Sequence, residues 1–102
     1  MAPDLFEKVG SRLTAMPEGR LDTLKAPELE SELQRHLDGV QDMIMDFKKV
    51  EYISSGGIRI LLTTAQKMQS RGGSLKLIHV NEHIMNIFEL IGFLDMIHVE
   101  QD

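Results

Sequence analysis

The stretch Asp46-Phe47-Lys48-Lys49-Val50-Glu51-Tyr52-Ile53-Ser54-Ser55-Gly56-Gly57-Ile58-Arg59-Ile60-Leu61-Leu62 reads as a buried strand, a short connection and a helix that begins at Ser54-Ser55-Gly56-Gly57. Two hydroxyls followed by two glycines set a small polar group beside the backbone N–H groups that a helix start leaves unpaired. Such a turn holds an anion, a capping side chain or a modified serine, and the local residues leave all three open.

Met43-Ile44-Met45 and Phe47 form a nearly continuous apolar run bounded by charges. It is too short for a helix of normal length and suits a central strand covered on both faces. After the turn, Ile58, Leu61, Leu62, Ala65 and Met68 keep helical spacing, with Lys67 and Arg71 at the negative end of the helix dipole before Gly72-Gly73. Leu75 to Val80 is the next buried strand. Asn81 then caps a helix whose core face is Ile84, Ile87, Phe88 and Ile91 and whose stop is Gly92, and Met96-Ile97-His98-Val99 is a last short strand. One core is expected to hold Met43, Ile44, Met45, Leu61, Leu62, Leu77, Ile84 and Phe88.

Toward the N-terminus, residues 4–8 and 12–16 look like two strands joined at Gly10-Ser11, with Pro17 ending the second or confining it to an edge. Gly19-Arg20-Leu21-Asp22-Thr23 breaks the pattern, and Asp22 or Thr23 can cap a helix carrying Pro27 near its first turn. In that helix Leu29, Leu33 and Leu37 recur every four residues, while Glu28, Glu30, Glu32 and Arg35 occupy other faces, and Asp38-Gly39 ends it. Strands alternating with helices through short connections predict an α/β fold with a mixed, mostly parallel β-sheet, an antiparallel hairpin at the start and about three packed helices.

The chain of 102 residues is expected to be one domain, 1–102. A net charge of −5 with eleven scattered basic residues argues against nucleic acid as a partner. The absence of cysteine removes disulfides and thiolate chemistry and fits a reducing, cytoplasmic location. No apolar run approaches the roughly 20 residues of a membrane helix, so membrane insertion is not expected.

No catalytic constellation is visible, and no cofactor or metal is expected. His79 and His83 straddle a strand end and a helix start, unlike a metal pair on one helix face. Asp42 and Asp46 lie on the same side of one strand about 13 Å apart, too far for a paired acid and base. The turn lacks the lysine of a phosphate-binding loop.

With these residues placed, the sequence resembles the STAS family, the sulfate transporter and anti-sigma factor antagonist domain, and among its members the stand-alone bacterial antagonists. The matching pieces are Gly19-Arg20-Leu21-Asp22, Met43-Ile44-Met45-Asp46-Phe47 with Val50 and Tyr52-Ile53, Ser54-Ser55-Gly56-Gly57-Ile58, and Ile87-Phe88-Glu89-Leu90-Ile91-Gly92-Phe93. Family antagonists often read Asp-Ser-Ser/Thr-Gly at the turn, with the first serine as phosphoacceptor. That position falls on Ser55, with Ser54 as second choice; Ser54 stands in the aspartate position and Gly56 in that of the second hydroxyl.

The resemblance implies a non-enzymatic anti-sigma factor antagonist whose partner is an anti-sigma factor that is also a serine kinase. Phosphorylation ends the interaction and a PP2C-type phosphatase restores it. The partner surface is expected to comprise Asp22, Ser54, Ser55, Gly56, Gly57 and Arg59, where strand ends and helix starts converge. The alternative is a scaffold that does not switch, either self-assembling, for example as a weak homodimer, or docking on a transporter ATPase.

Overall fold

The computed structural model describes residues 5–100. The first two strands, β1 (Leu5–Val9) and β2 (Arg12–Met16), form the expected antiparallel hairpin around Gly10-Ser11, with Gly10 at φ +61°. Residue 4, assigned to β1 from sequence, lies outside the described residues. Pro17 ends β2 as anticipated, but the chain then forms β3 (Glu18–Leu21), a strand that the sequence reading took for a break. Gly19, at φ +80°, marks a register shift in β3 that masks its alternation.

Helix α1 (Lys25–His36) follows, with Ala26, Leu29 and Leu33 buried. Asp22 does the capping: its carboxylate accepts from the amides of Leu24 at 3.1 Å and Lys25 at 2.9 Å, and its carbonyl accepts from Ala26. Strand β4 (Asp42–Asp46) is central in the sheet order β1-β2-β4-β6-β7, in which only β1 runs antiparallel to its neighbour. Here β6 is Ser74–Ile78 and β7 is His98–Val99, both shorter than expected. His79 ends β6 by taking a positive φ of 57°.

Registered rows explain the core. Leu13, Met43 and Leu75 are cross-strand neighbours, as are Ala15, Met45 and Leu77, and all six are buried on one face. The other face departs from expectation. The row Thr14, Ile44 and Lys76 is half-buried, and Arg12, Asp42 and Ser74 are exposed, so β4 is covered on one face only and Ile44 lies at the margin of the core.

The stretch after β4 also differs from its reading as a single strand. Asp46 accepts from the amide of Lys48 at 2.9 Å, and the tight turn at Phe47-Lys48 starts a separate strand, β5 (Lys49–Ile53). It leaves the main sheet to pair in parallel with β3 as a two-stranded ribbon. Helix α2 (Ser55–Ser70) rises from that ribbon, burying Ile60, Leu61, Thr64, Ala65 and Met68, with Ile58 and Leu62 half-buried against the core. At its end Arg71 donates to the carbonyls of Leu37 at 2.6 Å and Val40 at 3.3 Å, tying α2 to the end of α1.

Helix α3 (Glu82–Leu90) is capped by Asn81, whose side chain accepts from the amide of Ile84 at 2.8 Å. Ile84 and Phe88 are buried, and Phe88 stacks on Phe93 at 4.3 Å. Ile87 is only half-buried, and Ile91, expected in the core, is 50% exposed: α3 has ended there, and Gly92 in the left-handed region turns the chain into a short 3-10 segment, Phe93–Asp95.

Candidate functional site

The ribbon of β3 and β5 sets the position of the turn. Ser54 is extended, at φ −101° and ψ 176°, and caps α2: its hydroxyl accepts from the amide of Gly57 at 3.4 Å and donates to the carbonyl of Leu21 at 3.3 Å. Its own amide donates to the same carbonyl at 2.9 Å. The cap is therefore Ser54 and not Ser55, which answers one of the readings left open by sequence. Ser55 is the first residue of α2, is exposed, and its hydroxyl has no hydrogen-bond partner among the described residues.

The glycines serve close packing. A Cβ on Gly57 would lie 2.6 Å from the Leu21 carbonyl oxygen and 2.8 Å from Ile53 Cγ1. A Cβ on Gly56 would meet Thr23 Cα at 3.3 Å, tighter than most real contacts. Gly57 is buried, so of the six residues expected at the partner surface it is the one withdrawn beneath it; Gly56 is half-buried.

Asp22 sits beside the turn with its carboxylate committed to the start of α1 and 4.0 Å from Arg20 Nε. Arg20 in turn lies over the Tyr52 ring, 4.4 Å from its centroid. Arg59, one turn along α2, is exposed and has no ion-pair partner among the described residues. An open cavity of about 520 Å³ lies between the ribbon and the first turn of α1, with Arg20, Asp22, Leu24, Lys25, Glu28 and Lys49 on its walls. Leu24, 85% exposed next to Thr23 at the turn, escaped the sequence reading. Its only signal was a leucine between a cap and a helix start, off the spacing of Leu29 and Leu33.

Among the described residues no group of three or more histidines or carboxylates could hold a metal ion, and no helix is long and apolar enough to cross a membrane. His79 pairs with Asp46, Nδ1 to Oδ1 at 2.9 Å, and thereby holds the connection before α3 against the β4–β5 turn. Asn81 adds a bond to the Val50 carbonyl at 3.2 Å.

The chain is similar to a candidate anti-sigma factor antagonist, BtrV, of Bordetella bronchiseptica, 32% identical over 95 residues that cover 92% of this chain and 82% of that one. It is also 30% identical to the anti-sigma-B factor antagonist of Staphylococcus aureus over 84 residues, 81% of this chain and 78% of that one. Its fold is similar to that of the Bacillus cell fate determinant SpoIIAA in the phosphorylated form, with a TM-score of 0.74 at 14% identity over 98% of this chain and 93% of the other. The STAS domain model matches residues 6–102, and the chain belongs to that family.

Proposed function

We propose that this protein is an anti-sigma factor antagonist that acts by binding and is switched off by phosphorylation of Ser55. The observation that carries the reading is the division of labour at the turn: Ser54 is consumed in holding α2 to β3, whereas Ser55 stands exposed with an unused hydroxyl. Two curated relatives bear antagonist names and a neighbour of the same fold is known in a phosphorylated form, which supports the same reading. The serine at position 54 supplies the cap that an aspartate there would otherwise supply.

In this reading the unmodified turn, Ser54, Ser55 and Gly56, meets the anti-sigma factor together with Asp22, Leu24 and Arg59. A serine kinase, most simply the anti-sigma factor itself, phosphorylates Ser55, and a PP2C-type phosphatase removes the group. The phosphate adds about 1.5–2 negative charges at a helix start, where the dipole favours them, so the domain stays folded. Affinity falls because the dianion is pressed into a partly desolvated contact where the partner offers no compensating hydrogen bonds.

Intact-mass measurement of the protein from its native cells, followed by fragment mapping, tests this. One added phosphate on Ser55 is expected. A phosphate confined to Ser54 would move the switch off Ser55, and none under any condition together with constant partner binding would turn the reading toward an unswitched scaffold.

A further inference from the structure

We propose that Arg59 takes hold of the phosphate on Ser55 within its own helix, so that modification withdraws this guanidinium from the partner as well as adding charge. The inference rests on the reading of Ser55 as acceptor. Arg59 follows Ser55 by four residues on α2, which places the two side chains one turn apart on the same face. Helical side chains lean toward the N-terminus, so Arg59 leans over the turn that bears Ser55.

Nothing on the helix competes for it. The positions three and four away from Arg59 are Gly56 and Ser55 on one side and Leu62 and Thr63 on the other, and the first turn of α2 carries no acidic residue. Arg59 is exposed and without an ion-pair partner among the described residues. Three of the four other arginines are committed: Arg20 over Tyr52, Arg35 on Glu32 and Arg71 on two carbonyls; the fourth, Arg12, opens β2 opposite Asp42 of β4. A phosphomonoester dianion offers three acceptor oxygens, and the planar guanidinium fork matches two of them.

Before modification, then, Arg59 is available to a carboxylate of the partner; after it, the strongest acceptor within reach is on its own chain. The test installs phosphoserine at position 55 of the full chain during translation, so that no kinase is needed, and follows its phosphorus-31 resonance through a pH titration. The second ionisation of the phosphate, ordinarily near pH 6, is expected about 0.2–0.7 unit lower with Arg59 present than in Arg59→Gln. Arg59→Lys should fall between the two, and the difference should shrink at high salt. Identical midpoints in the two backgrounds would overturn the proposal. The outcome is independent of whether Ser55 is ever phosphorylated in cells: an unlabelled serine would sink the switch, whereas identical midpoints would sink only the role of Arg59.

Discussion

The hydroxyl of Ser54 donates to the carbonyl oxygen of Leu21 at 3.3 Å across a gap of 33 residues in sequence, fastening the start of α2 to the end of β3. Two adjacent serines thus have different work, and substitutions should separate them. Ser54→Ala removes the cap and is expected to lower stability by about 0.5–2 kcal/mol. Ser55→Ala should stay within about 0.5 kcal/mol of the parent, as exposed positions do. Urea unfolding of both variants checks this; equal losses would mean that both hydroxyls are structural.

The same contact makes Gly57 intolerant. In Gly57→Ala the new methyl meets a backbone oxygen at 2.6 Å, and overpacking of this kind costs about 1–3 kcal/mol. Gly56→Ala, facing Thr23 at 3.3 Å, is expected to cost less. The order of the two midpoints in chemical denaturation decides the point.

Leu61 is fully buried and Leu62 is not. Leu61→Ala should therefore destabilise by about 2–5 kcal/mol as a cavity substitution, and Leu62→Ala by clearly less. A loss below about 0.5 kcal/mol for Leu61→Ala would contradict its place in the core.

Partner binding is expected to fall about a hundredfold in Ser55→Asp, a difference of about 2.8 kcal/mol, while Ser55→Ala binds constitutively. Both should melt close to the parent temperature. Titration calorimetry against the isolated anti-sigma factor reads this directly, and an aspartate variant that binds at full strength would remove Ser55 from the switch.

Leu24 and Arg59 flank the turn from opposite sides of sequence and should contribute differently. Leu24→Ser is expected to speed dissociation by taking away an apolar anchor, and Arg59→Glu to slow association in a salt-dependent way. Neither should change the unfolding midpoint appreciably, since both side chains are exposed. Surface plasmon resonance at several ionic strengths separates the two effects.

The main sheet and all three helices were legible because their apolar residues repeat at 2 or near 3.6 and their ends carry Asp22, Asn81, Gly92 and Gly10. The ribbon was not. Strand β3 is four residues long with a glycine in the left-handed region at its second position, and β5 shares its alternation with charged Lys49 and Glu51. Neither shows a periodic face that a short window can detect, and their pairing joins residues 31 or 32 positions apart. Ser55 was singled out by motif as the candidate acceptor, but that Ser54 makes the cap and leaves the Ser55 hydroxyl unused became visible only with the carbonyl of Leu21 in place. Ile44 was placed in the core from an apolar run read as covered on both faces, and Ile91 from helical spacing; one sits on the open face of the sheet and the other just beyond a helix end.

The pairing of β3 with β5 also governs when the turn exists during synthesis and after damage. A fragment starting at β4 would contain every residue of Ser54-Ser55-Gly56-Gly57 and yet lack the platform on which they are held, because Leu21 precedes α1. The serine is displayed in its helical setting only after a parallel pair with a long crossover has closed, one of the slower kinds of contact for a chain to make. An enzyme that recognises the shaped turn would pass over nascent, truncated or unfolded copies, so any phosphate placed on Ser55 would be confined to molecules already folded.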